Sequence, residues 1–270
     1  MVKSLSMNYY SDRASELFRF YQSVAADAVH GSWADLLPEQ PGLACDVDAG
    51  SGRDAAWLAS KGWEVIAVEP VTGLRQLGEQ FTSCQQKGKG SVSWLDDQLP
   101  ELKRLRSLDQ RFQLILISAV WMHLKPAEHE RAMRIVSELL APDGLLIISL
   151  RHGPDDAGRF HAFGTNEIIR LAHNRALVTR RDTRGVVDAS RPQLSWNYLA
   201  FKLPDDGTGS LPLVRHIIVN DNKTATYKLG LLRVLIRIAE GAPGMVLQRS
   251  DDWVDIPFSL VGLYWLKTYM

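Results

Sequence analysis

The chain has 270 residues, 46% of them hydrophobic, enough for one domain of roughly 200 residues with something attached. Its 31 basic and 31 acidic side chains cancel, which removes the bulk electrostatic reason for non-specific nucleic-acid binding and leaves only a local basic patch. Two cysteines, Cys45 and Cys84, make no disulfide framework, and Cys45, inside an apolar run, reads as a buried small hydrophobe. The apolar runs 114–121 and 229–238 are far shorter than a membrane span, and no signal-peptide core follows Lys3, so the expectation is a soluble cytoplasmic protein.

In chain order, "LACDV" (43–47) is strand-like and ends at a glycine turn, and "DAAWLASKG" (54–62) is a helix stopped by Gly62. "EVIAVEP" (64–70) is a buried strand ending in Glu69 and Pro70, and "VSWL" (92–95) is a weaker one closed by Asp96 and Asp97. "FQLILISAVW" (112–121) reads as a strand, "AEHERAMRIVSELLAPDG" (127–144) as a helix ended by Pro142 to Gly144, and "LLIISLRHG" (145–153) as another strand. Apolar strands separated by helices predict a doubly wound, mostly parallel sheet covered on both faces. "NEIIRLAHN" adds a helix, after which "ALVTRRDTRG" and "LSWNYLAFKL" alternate like a late antiparallel pair, the seventh strand completing a Rossmann-like α/β fold.

"PDDGTGSLP" (204–212) reads as a linker, here bounded at 205–212, between a first domain (1–204) and a small helical appendage (213–270). The appendage holds a helix at 223–241, with Asn220 or Asn222 as cap and Gly241 as stop, and a second apolar helix at 256–270.

The turn itself, "CDVDAGSGRDAAWL" (45–58), has Gly50, Gly52 and Ala55 in a G-x-G-x-x-A pattern. Such a turn lets a nucleotide approach the backbone and presents helix N–H groups to it. Glu69, at the end of the next strand, is where an acid can accept both ribose hydroxyls. Nicotinamide and S-adenosylmethionine enzymes share these features. Asp46 separates them in part, because dinucleotide folds run an uncharged strand into the turn. Asp96 and Asp97 add an acid after the third strand that can accept from an adenine amino group, while the second of the pair can equally face solvent.

The runs "DVDAGSGRDAAWLA", Glu69, "WLDDQLPEL", "FQLILISAVWMHL" and "APDGLLIISLRHG" together resemble class I S-adenosylmethionine-dependent methyltransferases at their successive motifs, over about residues 9–203. The resemblance implies that Asp46, Ala49, Gly50, Gly52, Glu69, Asp96 and Asp97 hold S-adenosylmethionine, with Ser118 and Ala119 flanking its methionyl part, and that S-adenosylhomocysteine is the product. One departure stands out: the family pattern D-x-G-x-G-x-G has glycine where this chain has Asp48. If that position takes positive φ, aspartate tolerates it at some cost.

Methyl transfer needs alignment first, and a base only if the acceptor loses a proton. The loops after the fourth and fifth strands offer His123 and His152 as candidate bases, Arg151 for an acidic acceptor and Trp121 as a wall. The N-terminal "NYYSDRASELFRFYQS" (8–23) resembles the lid of small-molecule methyltransferases, with Tyr9, Tyr10 or Tyr21 covering the site. "SAVW" stands where exocyclic-amine DNA methyltransferases carry N-P-P-Y/F, neither cysteine suits cytosine-C5 chemistry, and no C-x-x-C, H-E-x-x-H or dense acidic cluster suggests a metal.

The appendage resembles the start of a module in bacterial HNH-nuclease-like proteins, without a nuclease motif, and its end at "LYWLKTYM" reads as a chain cut short. Lys223, Lys228, Arg233 and Arg237 would be its face for nucleic acid, against a plain solvated face or docking on the first domain or on a second copy in a homodimer. The expected function is methyl transfer to a small molecule. The alternatives are a methyltransferase-like binding module of weakened activity, or a modification or defence protein acting on nucleic acid, with an NAD-dependent oxidoreductase behind both.

Overall fold

The computed structural model describes residues 5–85, 90–155, 158–188, 191–204, 226–249 and 253–269. The chain divides into two compact units, Met1–Gly209 and Ser210–Met270. The first opens with helices α1 (Leu5–Asp12), α2 (Ala14–Gln22) and α3 (Ala26–His30). It continues with β1 (Leu43–Val47), α4 (Arg53–Ser60), β2 (Glu64–Val68), α5 (Thr72–Gln85), β3 (Ser91–Leu95) and α6 (Lys103–Arg106). The remaining elements are β4 (Phe112–Ser118), α7 (His129–Leu139), β5 (Leu140–His152), α8 (Thr165–His173), β6 (Val178–Val187) and β7 (Ser195–Lys202).

The seven strands form one sheet in the order β3-β2-β1-β4-β5-β7-β6. The first five pair in parallel, and β7 pairs antiparallel with both β5 and β6. This is the Rossmann-like sheet with a late antiparallel pair that the apolar pattern predicts. Alternate side chains of the central strands feed two cores: Cys45, Val47, Ile115 and Ile117 join α7 and α8, while Ala44, Leu114 and Leu116 join α4 with Trp33, Trp57 and Trp63. Strand order reverses between β1 and β4, so their C-terminal ends diverge and open the crevice in which such sheets bind ligands.

Two boundaries differ from the sequence reading. The helix expected over 127–144 ends at Leu139, and Pro142 to Gly144 lie inside the first part of β5. The register between β4 and β5 shifts there, between the Phe112–Leu140 and Leu114–Leu145 pairs, which accommodates a proline that has no N–H to donate. The strand expected to run to Trp121 stops at Ser118, because Ala119 turns the chain at φ 59°.

In the second unit, α9 (Thr226–Gly241) and α10 (Phe258–Tyr269) pack through Val234, Ile238 and Leu260. A short antiparallel pair, β8 (Gln248–Arg249) and β9 (Val254–Asp255), joins them. The expected linker and the Asn220 or Asn222 cap lie outside the described residues.

Trp94 of β3 fixes the glycine turn from behind. A Cβ on Gly52 (φ 74°) would come within 2.8 Å of the Trp94 ring and 3.0 Å of Thr82, and one on Gly78 of α5 would come within 2.3 Å of that ring. The indole Nε1 donates to Thr82 Oγ1 at 3.0 Å. Gly52 is therefore needed for packing as well as for its left-handed backbone, whereas a Cβ on Gly50 (φ 56°) would make ordinary contacts, with the Tyr21 ring at 3.6 Å and the Asp48 carbonyl at 4.0 Å. Gly52→Ala is expected to destabilise the fold by about 3 kcal/mol, from strain plus overpacking, and Gly50→Ala by about 1 kcal/mol, from backbone strain alone. Urea denaturation of the two variants checks the difference.

Candidate functional site

Glu69 sits at the C-terminal end of β2 and is only 3% exposed. Its Oε2 accepts from the Gly50 N–H at 2.8 Å, and its Oε1 from the Val71 N–H at 2.7 Å. One carboxylate thus ties the glycine turn to the segment that starts α5. Burial pushes its pKa up to about 7, against the lowering effect of the two N–H donors. A carboxylate has about four acceptor positions, so two remain for a ligand.

Two more acids crowd the same corner. Asp46, buried in β1, has its pKa raised by burial and by Asp54, and its Oδ2 has no hydrogen-bond partner among the described residues. Asp48 takes φ 56°, the left-handed conformation considered above. Its pKa is raised by burial and by Glu69 and Asp97, and its Oδ1 is likewise buried without a partner. Ala49 continues the turn, its N–H donating to Val68 O at 2.9 Å.

The acids after β3 divide the work. Asp97 accepts from the Gln98 N–H at 2.9 Å and, through Oδ2, from the N–H groups of Arg104 and Leu105 at 2.7 and 3.0 Å, so it caps α6. Asp96 is half-exposed and lies 3.3 Å from Arg75, whose guanidinium also donates to the Glu69 carbonyl at 2.5 Å.

Across the crevice, Ser118 Oγ lies 3.3 Å from Ser149 Oγ, and the Ala119 N–H donates to that same Ser149 hydroxyl at 3.0 Å. Ser149, absent from the sequence reading, therefore anchors the turn after β4. His123 Nε2 stands 3.2 Å from the Tyr10 hydroxyl, and its ring meets Tyr10 and Phe160 edge-on. Burial, with Arg159 adding to it, lowers the His123 pKa to about 4, so the ring is neutral at pH 7.

α1 and α2 lie over this group. Tyr21 rests on Gly50, Gln22 donates to Ser51 O at 3.0 Å, and Arg53 reaches back to Tyr21 O at 3.2 Å. Tyr10, Tyr21 and His123 thus form a continuous cover from the turn to the loop after β4.

The other candidates part company. Arg151 lies over the Phe160 ring at 4.8 Å and so joins this group. His152, the next residue along β5, faces the opposite side of the sheet. Its ring stacks on Phe163 at 5.1 Å, burial lowers its pKa, and none of its ring contacts reaches the Tyr10–His123–Phe160 group. Trp121 corrects the expectation of a crevice wall: it is 0% exposed, sits in the core beneath the sheet and packs on His129 of α7.

Sequence reasoning also missed Arg159 and Phe160, which fold back on the site because Asp155 accepts from the Phe160 N–H at 2.8 Å and pairs with the Arg159 guanidinium at 3.0 Å. The local run "PDDAGRF" carries a turn signal but nothing that predicts where its end returns. Behind the turn, His30 lies 3.0 Å from Asp54, and Arg53 lies 2.6 Å from it, so the two hold the Asp54 pKa well down. Among the described residues no cluster suits a metal ion, and no helix is long and apolar enough to cross a membrane.

Residues 17–197 match the model described as "Methyltransferase domain", and residues 207–270 match that of a domain of unknown function. An uncharacterised methyltransferase of Staphylococcus carnosus is 27% identical over 114 residues, which span 42% of this chain and about half (49%) of that relative's length. Among solved structures, the 1,6-didemethyltoxoflavin-N1-methyltransferase of Burkholderia thailandensis, bound to its acceptor and S-adenosylhomocysteine, shares 20% identity and a TM-score of 0.59 over 75% of this chain and 88% of its own. The magnesium protoporphyrin IX methyltransferase of Synechocystis, bound to S-adenosylmethionine, shares 16% identity and a TM-score of 0.55 over 74% of this chain and 98% of its own. These likenesses establish the fold, and the model match over most of the chain establishes the family. The chain belongs to the methyltransferase-domain family, whose methyl donor is S-adenosylmethionine.

Proposed function

We propose that this chain transfers a methyl group from S-adenosylmethionine to a small molecule held between the glycine turn and the loops after β4 and β5. The observation that carries this reading is the cover of α1 and α2: Tyr21 on Gly50 and Tyr10 on His123 roof the crevice, which suits an enclosed acceptor better than a polymer. The toxoflavin and protoporphyrin relatives, whose names state small-molecule acceptors, lend support by analogy.

The residues present fit the donor. Glu69 keeps two acceptor positions for ribose hydroxyls, and Asp46 and Asp48 each hold a buried side-chain oxygen without a partner beside it. Asp96 is free of capping duty and is the better partner for an adenine amino group, while Ser118 and Ala119 face the methionyl part. When bound, S-adenosylmethionine supplies an electrophilic methyl group. His123 serves as the base: it is neutral at pH 7, and its Nε2 stands 3.2 Å from a hydroxyl, that of Tyr10. His152, stacked on Phe163, is left without a part in this reading.

Asp48 supports a second reading, a binding module weakened at the turn, because a buried carboxyl stands where the family has glycine. Calorimetric titration with S-adenosylhomocysteine separates the two. The original chain is expected to bind it and not NAD, and Glu69→Ala to bind about 10- to 100-fold more weakly, the worth of one or two hydrogen bonds to a charged group. Binding absent from the original chain and restored by Asp48→Gly would instead favour the weakened module.

The buried, neutral His123 also sets a pH dependence. The unfolded chain takes up a proton on this residue near pH 6.5, the folded chain only near 4, so the stability it confers is full above pH 6.5 and is lost as pH falls toward 4. The loss is about 3 kcal/mol. His123→Gln is expected to flatten that limb of the profile, measured by urea unfolding between pH 4 and 8. Glu69 works in the opposite sense, losing stability as pH rises from 4.5 to about 7, and it cancels between the two proteins.

A further inference from the structure

Beside the cover, guanidinium groups gather above the end of β5. Arg159 and Arg151 lie 4.9 and 4.8 Å from the centre of the same Phe160 ring, and burial, with Arg191 and Arg159 nearby and Asp155 opposing, lowers the Arg151 pKa. Two of these cations have their own acids. Arg159 is held by Asp155 at 3.0 Å, and Arg191 by Asp188 at 2.8 Å, with Asp188 also accepting from Trp196 Nε1 at 3.0 Å.

Arg151 has no such partner. Its Nη2 donates to the Pro154 carbonyl at 2.7 Å, its Nη1 is buried with no hydrogen bond, and among the described residues no carboxylate pairs with it. A guanidinium stays charged at any ordinary pH and carries a planar fork of donors that matches a carboxylate. An unpaired buried donor is costly, so this one is a standing demand for an anion.

The count of charge sets the size of that anion. Three arginines against two aspartates leave one positive charge, which balances a monoanion and falls short of a phosphate dianion. The surfaces beside Arg151 are flat and aromatic: Phe160 beneath its guanidinium, with the His123 ring 5.1 Å from Phe160 and Tyr10 beyond.

We propose that the methyl acceptor is an aromatic carboxylic acid, its carboxylate held by Arg151 and its ring lying along Phe160 toward His123. This rests on the reading of the crevice as the methyl-transfer site and names its substrate class.

The test uses benzoate and benzamide as probes, titrated by ligand-observed NMR into the full chain with S-adenosylhomocysteine present. Benzoate is expected to bind at least about 10-fold more tightly than its neutral isostere, the worth of one charge-assisted pair, and inorganic phosphate no more tightly than benzoate. Arg151→Gln is expected to remove the preference and Arg151→Lys to keep part of it, which separates loss of the fork from loss of the fold. Equal binding of benzoate and benzamide, or unchanged benzoate binding in Arg151→Gln, would overturn the proposal. The affinity for S-adenosylhomocysteine in the same samples tells the two claims apart. Cofactor binding without benzoate preference removes only the acceptor assignment, whereas no cofactor binding removes the methyl-transfer reading and this proposal with it.

Discussion

The arrangement depends on one buried carboxylate. By accepting from Gly50 and Val71 at once, Glu69 sets the glycine turn, the end of β2 and the start of α5 in fixed relation. Placing it there is unfavourable in isolation, since burial raises its pKa and Asp46 and Asp48 stand close enough to repel. The corner tolerates this crowding because each acid has a different remedy. Glu69 has backbone N–H donors, and Asp54 has His30 and Arg53. Asp46 and Asp48, their pKa values raised by burial, shed charge and retain oxygens without partners.

The opposite end of the crevice is basic. Arg151, Arg159 and Arg191 gather near the loop after β5, with two acids among them, and the neutral His123 and the lid tyrosines separate them from the glycine turn. An acceptor carrying an anion would be drawn to this end, away from the turn. In a site of this kind, alignment supplies much of the rate. The cover adds enclosure, which strengthens the field of the arginines by keeping water out.

Much of this was legible in the sequence, for physical reasons. Buried parallel strands must be apolar along their whole length, so 43–47, 64–70, 112–121 and 145–153 declared themselves, and the late alternation of 194–203 marked a strand pairing the other way. Glu69 was legible because strand ends have a fixed place in a doubly wound sheet. What failed was non-local. "LLAPDGLLIIS" is apolar on both sides of Pro142, and only the shifted register against Phe112 decides that this segment is strand. That Gly52 also makes room for packing was hidden, because the space of its missing Cβ is filled by Trp94, a residue distant in sequence on β3. Trp121 looked like a wall because it follows the fourth strand at the crevice, but successive residues of the short turn point to different places, and the indole went to the core. Arg159 and Phe160 could not be placed at all until the loop after β5 closed on Asp155.

The account stands or falls on whether Glu69 holds the donor's ribose, and a crystal structure of the full chain grown with S-adenosylhomocysteine tests this most directly. The account predicts both ribose hydroxyls within hydrogen-bond distance of the Glu69 carboxylate, the adenine on the Asp96 side, the sulfur facing His123, and Tyr21 shifted off Gly50 to admit the nucleoside. An adenosyl group bound elsewhere, or one bound at the turn with Glu69 still engaged only by Gly50 and Val71, would contradict it.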